Sequence, residues 1–239
     1  MKPIVLLLIS VLVLNSCHSE FKPVVFETTE MDMSFDADIS LTYDKALGNE
    51  ELSKIINFKI EEAIIATLSD ATKKTKLDAI LKDFNTEYVN FKKDFPEASE
   101  PVWELFIETE KIYQSEAVIT IAISTYEFKG GAHGNDKIIL LNLNAKTGAI
   151  LNKGDIIENL KAFTLLAESH FKTSLKLKEN TTKPEDYFFG KPFQLPENIG
   201  FSDDGLILLY NTYEVATYNK GYTEFVIPFK ALTNHLKIK

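Results

Sequence analysis

The sequence predicts an α+β protein: antiparallel sheet covered by helices, in two lobes of one compact unit. Three observations carry this. Stretches of strict apolar–polar alternation, the period of a half-buried strand, occur in both halves. Three longer stretches instead repeat their apolar residues every three or four positions, the period of an amphipathic helix. The order is strand, two helices, a run of strands, helix, strands, helix, which segregates the two kinds of element rather than alternating them.

The elements follow in order. Val24 to Tyr43 reads as extended, with Phe35, Ala37, Ile39 and Leu41 on one side and Asp36, Asp38, Ser40 and Thr42 on the other. Gly48-Asn49 interrupts it, and Asn49 is placed to cap a helix that begins with Glu50 and Glu51. Leu52, Ile55, Ile56, Ile60, Ala63, Ile64 and Leu68 lie on its apolar stripe. A second helix spans about Lys74 to Phe95, with Leu77, Ile80, Leu81, Phe84, Tyr88, Phe91 and Phe95 on one face, and Pro96 and Pro101 rule out its continuation. Strands are expected around Trp103–Glu108, Ala117–Phe128 and Ile138–Leu143. The first two are joined by a hairpin near Gln114-Ser115. Asn144–Gly148 is a turn. Asn159 to Leu177 is a third helix, Thr181 to Gly200 a long irregular loop, and Leu206–Asn211 and Tyr222–Ile227 are the last strands. Pro228 suits the first turn of a short closing helix that ends at Leu236. The lobes are expected to divide at residues 24–128 and 129–239.

The N-terminus carries a different kind of signal. Lys2 precedes Ile4–Leu14, apolar at every position but Ser10. That run is shorter than the roughly 20 residues a membrane-spanning helix needs, and it has the form of the apolar region of an export signal. Leu14-Asn15-Ser16-Cys17 follows and resembles the lipobox of bacterial lipoproteins, with Asn15 a departure from the usual small or apolar residue. The resemblance implies a signal peptide over residues 1–16, acylation of Cys17 and a tether over residues 17–23. The expected location is the bacterial envelope or periplasm, with the chain held to a membrane by lipid. Cys17 is the sole cysteine, so no intramolecular disulfide can form.

Composition narrows the function classes. The formal charge is −9 and there is no arginine among 239 residues. A chain that is acidic and lacks the bidentate guanidinium fork is not built to hold phosphates, so nucleic acid is not an expected partner. A cationic partner is compatible with the acidic surface, although such surfaces also serve solubility.

The stretch Tyr126–Asn135, YEFKGGAHGN, is the most distinctive local feature. Gly130, Gly131 and Gly134 are expected to supply positive φ in a hairpin turn. A base at His133 would need a nucleophile and an orienting acid beside it. Neither a cysteine nucleophile nor a Gly-x-Ser-x-Gly elbow is present. His18, His133, His170 and His235 have no ligand-like spacing, so no metal and no cofactor are expected. Glu104, Glu108 and Glu110 share a strand face and read as its wet side rather than as a glycosidase acid pair. Asp203-Asp204-Gly205 reads as a turn. In the aromatic group of Tyr187, Phe188, Phe189, Phe193, Tyr210, Tyr213, Tyr218 and Tyr222, the phenylalanines are expected in the core. Tyr218 and Tyr222 flank a turn and are candidates for ligand contact.

YEFKGGAHGN, LLNLNAKTGAIL, GDII and FSDDGLILLYNTYEVATYNKGYTEFVIPFKAL together resemble a bacterial extracytoplasmic domain family of unassigned activity. The pair of modules is similar to the outer region of the lysozyme-sensing anti-sigma factor RsiV and to the N-terminal region of the peptidoglycan deacetylase PdaC. Thr217 stands where members often have proline. The resemblance implies an envelope module and leaves its ligand open, since function resides in sites grafted onto folds. The leading expectation is a non-catalytic binding module for a wall glycan or a cationic protein such as lysozyme, with Gly131, His133, Tyr213, Tyr218 and Tyr222 as contact candidates. The alternative is a hydrolase or deacetylase acting on wall polymer, and a third reading is a structural subunit of an envelope complex.

Overall fold

The computed structural model describes residues 21–31, 33–68, 76–99, 101–178 and 186–238. The expected signal peptide over residues 1–16, Cys17 and His18 lie outside them. Among the described residues no helix is long and apolar enough to cross a membrane.

The first lobe is a five-stranded sheet in chain order: β1 (Val25–Glu30), β2 (Asp38–Leu47), β3 (Glu104–Gln114), β4 (Val118–Phe128) and β5 (Asn135–Asn144). All pairs are antiparallel except β2–β3, which is parallel and is bridged by helices α1 (Glu50–Thr67) and α2 (Leu77–Asp94). A parallel pair requires a long crossover, and the two helices supply it. The extended stretch read from Val24 to Tyr43 is thus two strands folded on each other, with the second running on to Leu47.

Asn49 caps α1 as its side chain predicts, accepting from the N–H groups of Glu51 and Leu52. The apolar stripe of α1 (Ile56, Ile60, Ile64) and that of α2 (Leu81, Phe84, Tyr88) are buried against one face of the sheet. That face presents Leu41, Leu105, Ile107, Ile119, Ile121, Ile123, Leu141 and Leu143. Side chains alternate across a strand, so residues one position off these point to the opposite face.

The second lobe is a three-stranded antiparallel meander: β6 (Asn198–Ser202), β7 (Gly205–Tyr210) and β8 (Thr223–Pro228). Three helices accompany it: short α3 (Lys153–Ile156), long α4 (Leu160–Lys178) and short α5 (Phe229–Leu232). Phe163, Ala167, Phe171 and Leu175 of α4 pack with Ile199, Phe201, Leu206, Leu208, Phe225 and Ile227. Four features differ from the sequence reading. β6 occupies the end of the stretch read as irregular, α3 has the capping box of Asn152 and Asp155, Pro228 is the N-cap of α5 rather than part of its first turn, and α5 stops at Leu232, short of Leu236.

β5 pairs with β4 along its whole length. A division of the chain at residue 128/129 therefore cuts between two strands of one sheet, and the first sheet closes at Asn144. The second sheet lies over only one end of the first sheet's helix-free face. There Thr120 Oγ1 donates to Asn142 Oδ1 and accepts from the Phe201 N–H, and Asn142 Nδ2 donates to the Ile199 carbonyl. Gly200 makes this approach possible, because a Cβ there would press on Leu140 and Thr120 at 2.8–2.9 Å.

Candidate functional site: a roofed trough and an aromatic ladder

The other end of the helix-free face stays open. Strand register lines up Ser40, Phe106, Tyr126 and Asp136 in one row, and Thr42, Glu108, Ser124 and Ile138 in the next. Tyr222, just before β8, closes the space above them. The result is a trough of about 450 Å3, within the range of small-molecule sites.

Its floor is aromatic. The rings of Phe106 and Tyr126 stack at 5.7 Å with an 18° interplanar angle. Gly134 lies directly against Tyr126, and a Cβ at that position would overlap the tyrosine ring. Gly130 and Gly131 adopt positive φ (90° and 100°) as expected of the hairpin turn, whereas Gly134 does not, and the close approach of Tyr126 is what requires its missing side chain. The Glu104 carboxylate lies near the Tyr126 hydroxyl. The pKa of Tyr126 lies above the usual tyrosine range, first through desolvation and then through the negative charges of Glu104 and Asp136. Desolvation and the same Asp136 push Tyr222 up to about 12.

Beside the trough stands a ladder of rings contributed by two loops. His133, at the tip of the glycine loop, stacks on Tyr218 at 4.2 Å and 22°. Tyr218, in a 3-10 turn over Tyr218–Lys220, lies 5.5 Å from Tyr213. All three rings are exposed, Tyr213 by 55% and Tyr218 by 38%. Tyr213 adopts φ 71°, a conformation a tyrosine reaches only at a cost. His133 makes its polar contact through Nδ1 to the carbonyl of Gly134.

The structure therefore brings His133, Tyr213, Tyr218 and Tyr222 together, with Gly131 in the same loop as His133. Tyr187, Phe188, Phe193 and Tyr210 separate from them and pack around Phe171 in the second core, while Phe189 is 60% exposed. His170 lies on α4, and the His235 ring meets Phe163 edge-on, so neither joins His133. Asp203 and Asp204 form the turn between β6 and β7. Among the described residues no group of three or more potential ligands could hold a metal ion.

The floor and rim of the trough (Phe106, Tyr126, Ser40, Thr42, Ser124 and Asp136) are not legible from any local motif. A phenylalanine on the otherwise wet side of β3, between Glu104 and Glu108, is the one signal that points to them.

Residues 149–230 match a family described as "Protein of unknown function (DUF3298)", and residues 29–136 match one described as "Deacetylase PdaC". No curated protein matches the chain. Solved structures with a similar fold include two of the DUF3298 family. A DUF3298 family member from Bacteroides fragilis NCTC 9343 has a TM-score of 0.68 and 18% identity over 89% of this chain and 93% of its own. A DUF3298 family protein from Pseudomonas aeruginosa PAO1 has a TM-score of 0.65 and 19% identity over 90% of this chain and 95% of its own. At these identities the likeness is one of fold.

Proposed function

We propose that this chain is a lipid-anchored, non-catalytic binding module of the bacterial envelope whose ligand is a wall glycan. The observation that carries the reading is the exposed ladder His133–Tyr218–Tyr213 standing beside a trough with an aromatic floor. Sugar rings present C–H bonds along their faces, and the electron-rich faces of aromatic rings attract such positively polarised edges. Exposed rings held in a row, one of them on strained backbone, are costly to maintain for folding alone. The leader over residues 1–16 and Cys17 support export and acylation, and two acyl chains would hold the module stably at a membrane.

The acidic rim favours a second reading, a cationic protein such as lysozyme. The match to a family described as a deacetylase favours the enzymatic alternative over residues 29–136.

Calorimetric titration of the chain from residue 18 onward with soluble peptidoglycan fragments and with lysozyme tests these readings. Saturable binding of glycan without turnover supports the proposal. Binding of lysozyme alone moves the assignment to the second reading, and release of acetate or reducing ends from the fragments overturns it in favour of an enzyme. Mass spectrometry of the native product tests the anchor, with added acyl mass on a peptide beginning at Cys17 as the expected result.

A further inference from the structure

The trough differs from the ladder in its charge. Glu108 and Asp136 line it, and the Glu104 carboxylate lies near the Tyr126 hydroxyl at its edge. None of the lining residues is cationic, the chain contains no arginine, and among the described residues no lysine forms an ion pair with Glu104, Glu108 or Asp136. Lys137 follows Asp136 directly, but strand alternation sends it to the opposite face. These carboxylates therefore stand around an aromatic floor with no cationic residue in the lining and no ion pair to a described lysine.

We infer that the trough is a subsite for an amino sugar bearing a free ammonium group, a glucosamine unit of a glycan rather than its N-acetylated form. The inference rests on the glycan reading above and deepens it. An ammonium in the trough donates its hydrogens to Glu108 and Asp136, with the stacked Phe106 and Tyr126 rings excluding water beside it. Ser40, Thr42, Ser124 and Tyr222 supply the hydroxyl groups that a polyhydroxylated ring can pair with. Acetylation would remove the charge, leave the carboxylates unanswered and add bulk beneath the Tyr222 roof. A lysine side chain would satisfy the carboxylates but would use none of the hydroxyls, so the lining favours the sugar.

The test compares a glucosamine tetramer with an N-acetylglucosamine tetramer by calorimetry, at low and high salt, with an oligolysine peptide as the competing cation. The expected result is a preference for the free-amine tetramer of about tenfold or more, the scale of one or two charge-assisted hydrogen bonds. The preference should shrink as salt rises. Glu108→Gln and Asp136→Asn should each abolish most of it. Glu116→Gln changes an exposed carboxylate at the far β3–β4 turn and should leave it intact, which separates a local effect from net charge. Circular dichroism and melting temperature verify that each variant folds. Equal affinity for the two tetramers overturns the subsite while leaving glycan binding standing. Failure to bind either overturns both. Oligolysine binding more tightly than the amine tetramer, and losing affinity in Glu108→Gln, overturns the sugar assignment in favour of a basic polypeptide.

Discussion

Asn211 grips Ile138 by both of its backbone groups: Oδ1 accepts the N–H at 2.7 Å and Nδ2 donates to the carbonyl at 2.9 Å. Asn198 adds a second clasp, donating to the same carbonyl at 2.7 Å and accepting the N–H of Leu140 at 2.6 Å. Two side-chain amides thus do what a sixth strand would do for the free edge of β5, which would otherwise present unpaired backbone groups. They also hold the second lobe in register with the strand that carries Asp136. Asn211→Ala leaves the partly buried N–H of Ile138 without its acceptor, and the expected loss is about 1–3 kcal/mol. Urea denaturation should show a lower midpoint at unchanged slope. Since Asn211 precedes the loop that carries Tyr213 and Tyr218, ligand affinity should fall in the same variant.

Gly131 and Gly134 should fail in different ways. Gly131 adopts φ 100° with open space where a side chain would go, so Gly131→Ala meets only backbone strain, about 1–2 kcal/mol. Gly134→Ala drives a methyl group into the Tyr126 ring and must displace the trough floor. A thermal melt paired with ligand titration separates them. Gly131→Ala should lose stability and keep most of its affinity, whereas Gly134→Ala should lose affinity out of proportion to its stability.

Much of this fold was legible in the chain because its signals are local. Asn49 caps the helix it precedes, and the stripes of α1 and α2 are buried along most of their length, with Ile55 and Phe95 left exposed at their edges. What failed was what depends on partners distant in sequence. β6 is only five residues long and holds a glycine chosen for contact with Thr120 and Leu140, so nothing in its own sequence marks it as a strand. The glycine loop before β5 reads locally as a lobe boundary, yet the pairing partner of β5 is β4. The site divides along the same line. The ladder residues are exposed aromatics flanking turns, which sequence can flag, whereas the trough exists only once register lines up four strands.

Gly200→Ala tests the contact between the lobes. The added methyl would sit at 2.8 Å from Leu140 Cβ and 2.9 Å from Thr120 Cγ2, both in a packed seam. Overpacking of this kind costs about 1–3 kcal/mol. The same displacement should stretch the bond from Asn142 Nδ2 to the Ile199 carbonyl, and faster hydrogen exchange in β6 than in β3 would report it.

Alkaline pH should destabilise the protein before it reaches ordinary hydrolytic limits. Burial raises the pKa values of Tyr126, Tyr187, Tyr210 and Tyr222, the last to about 12, against about 10 in the unfolded chain. Above pH 10 the unfolded state loses these protons while the native state keeps them. The unfolded state then binds fewer protons, and stability falls as pH rises through the interval from about 10 to 12. Below pH 10 the four hydroxyls are protonated in both states and contribute no slope. Tyrosinate absorbance against pH should show late-titrating groups whose ionisation accompanies unfolding. Tyr222→Phe, at a half-exposed position, should flatten the decline in part.

Tyr213 offers the sharpest separation of stability from function. Its φ of 71° lies in the left-handed region, where a side chain is disfavoured and glycine is not. Its ring is 55% exposed and touches Tyr218, so little core packing is lost when it is removed. If the ring were merely structural, Tyr213→Gly would weaken the fold. If the strain is kept so that the ring can extend the ladder, relief of that strain should offset glycine's extra unfolded-state entropy, leaving stability level or higher by up to about 1 kcal/mol. Glycan affinity should then fall in the opposite direction, as it should in Tyr218→Ala, which removes the central rung between His133 and Tyr213. Equilibrium denaturation and calorimetry on the two variants decide between these outcomes. A Tyr213→Gly protein that is markedly less stable and binds glycan as well as the parent would refute a functional reason for the strained backbone.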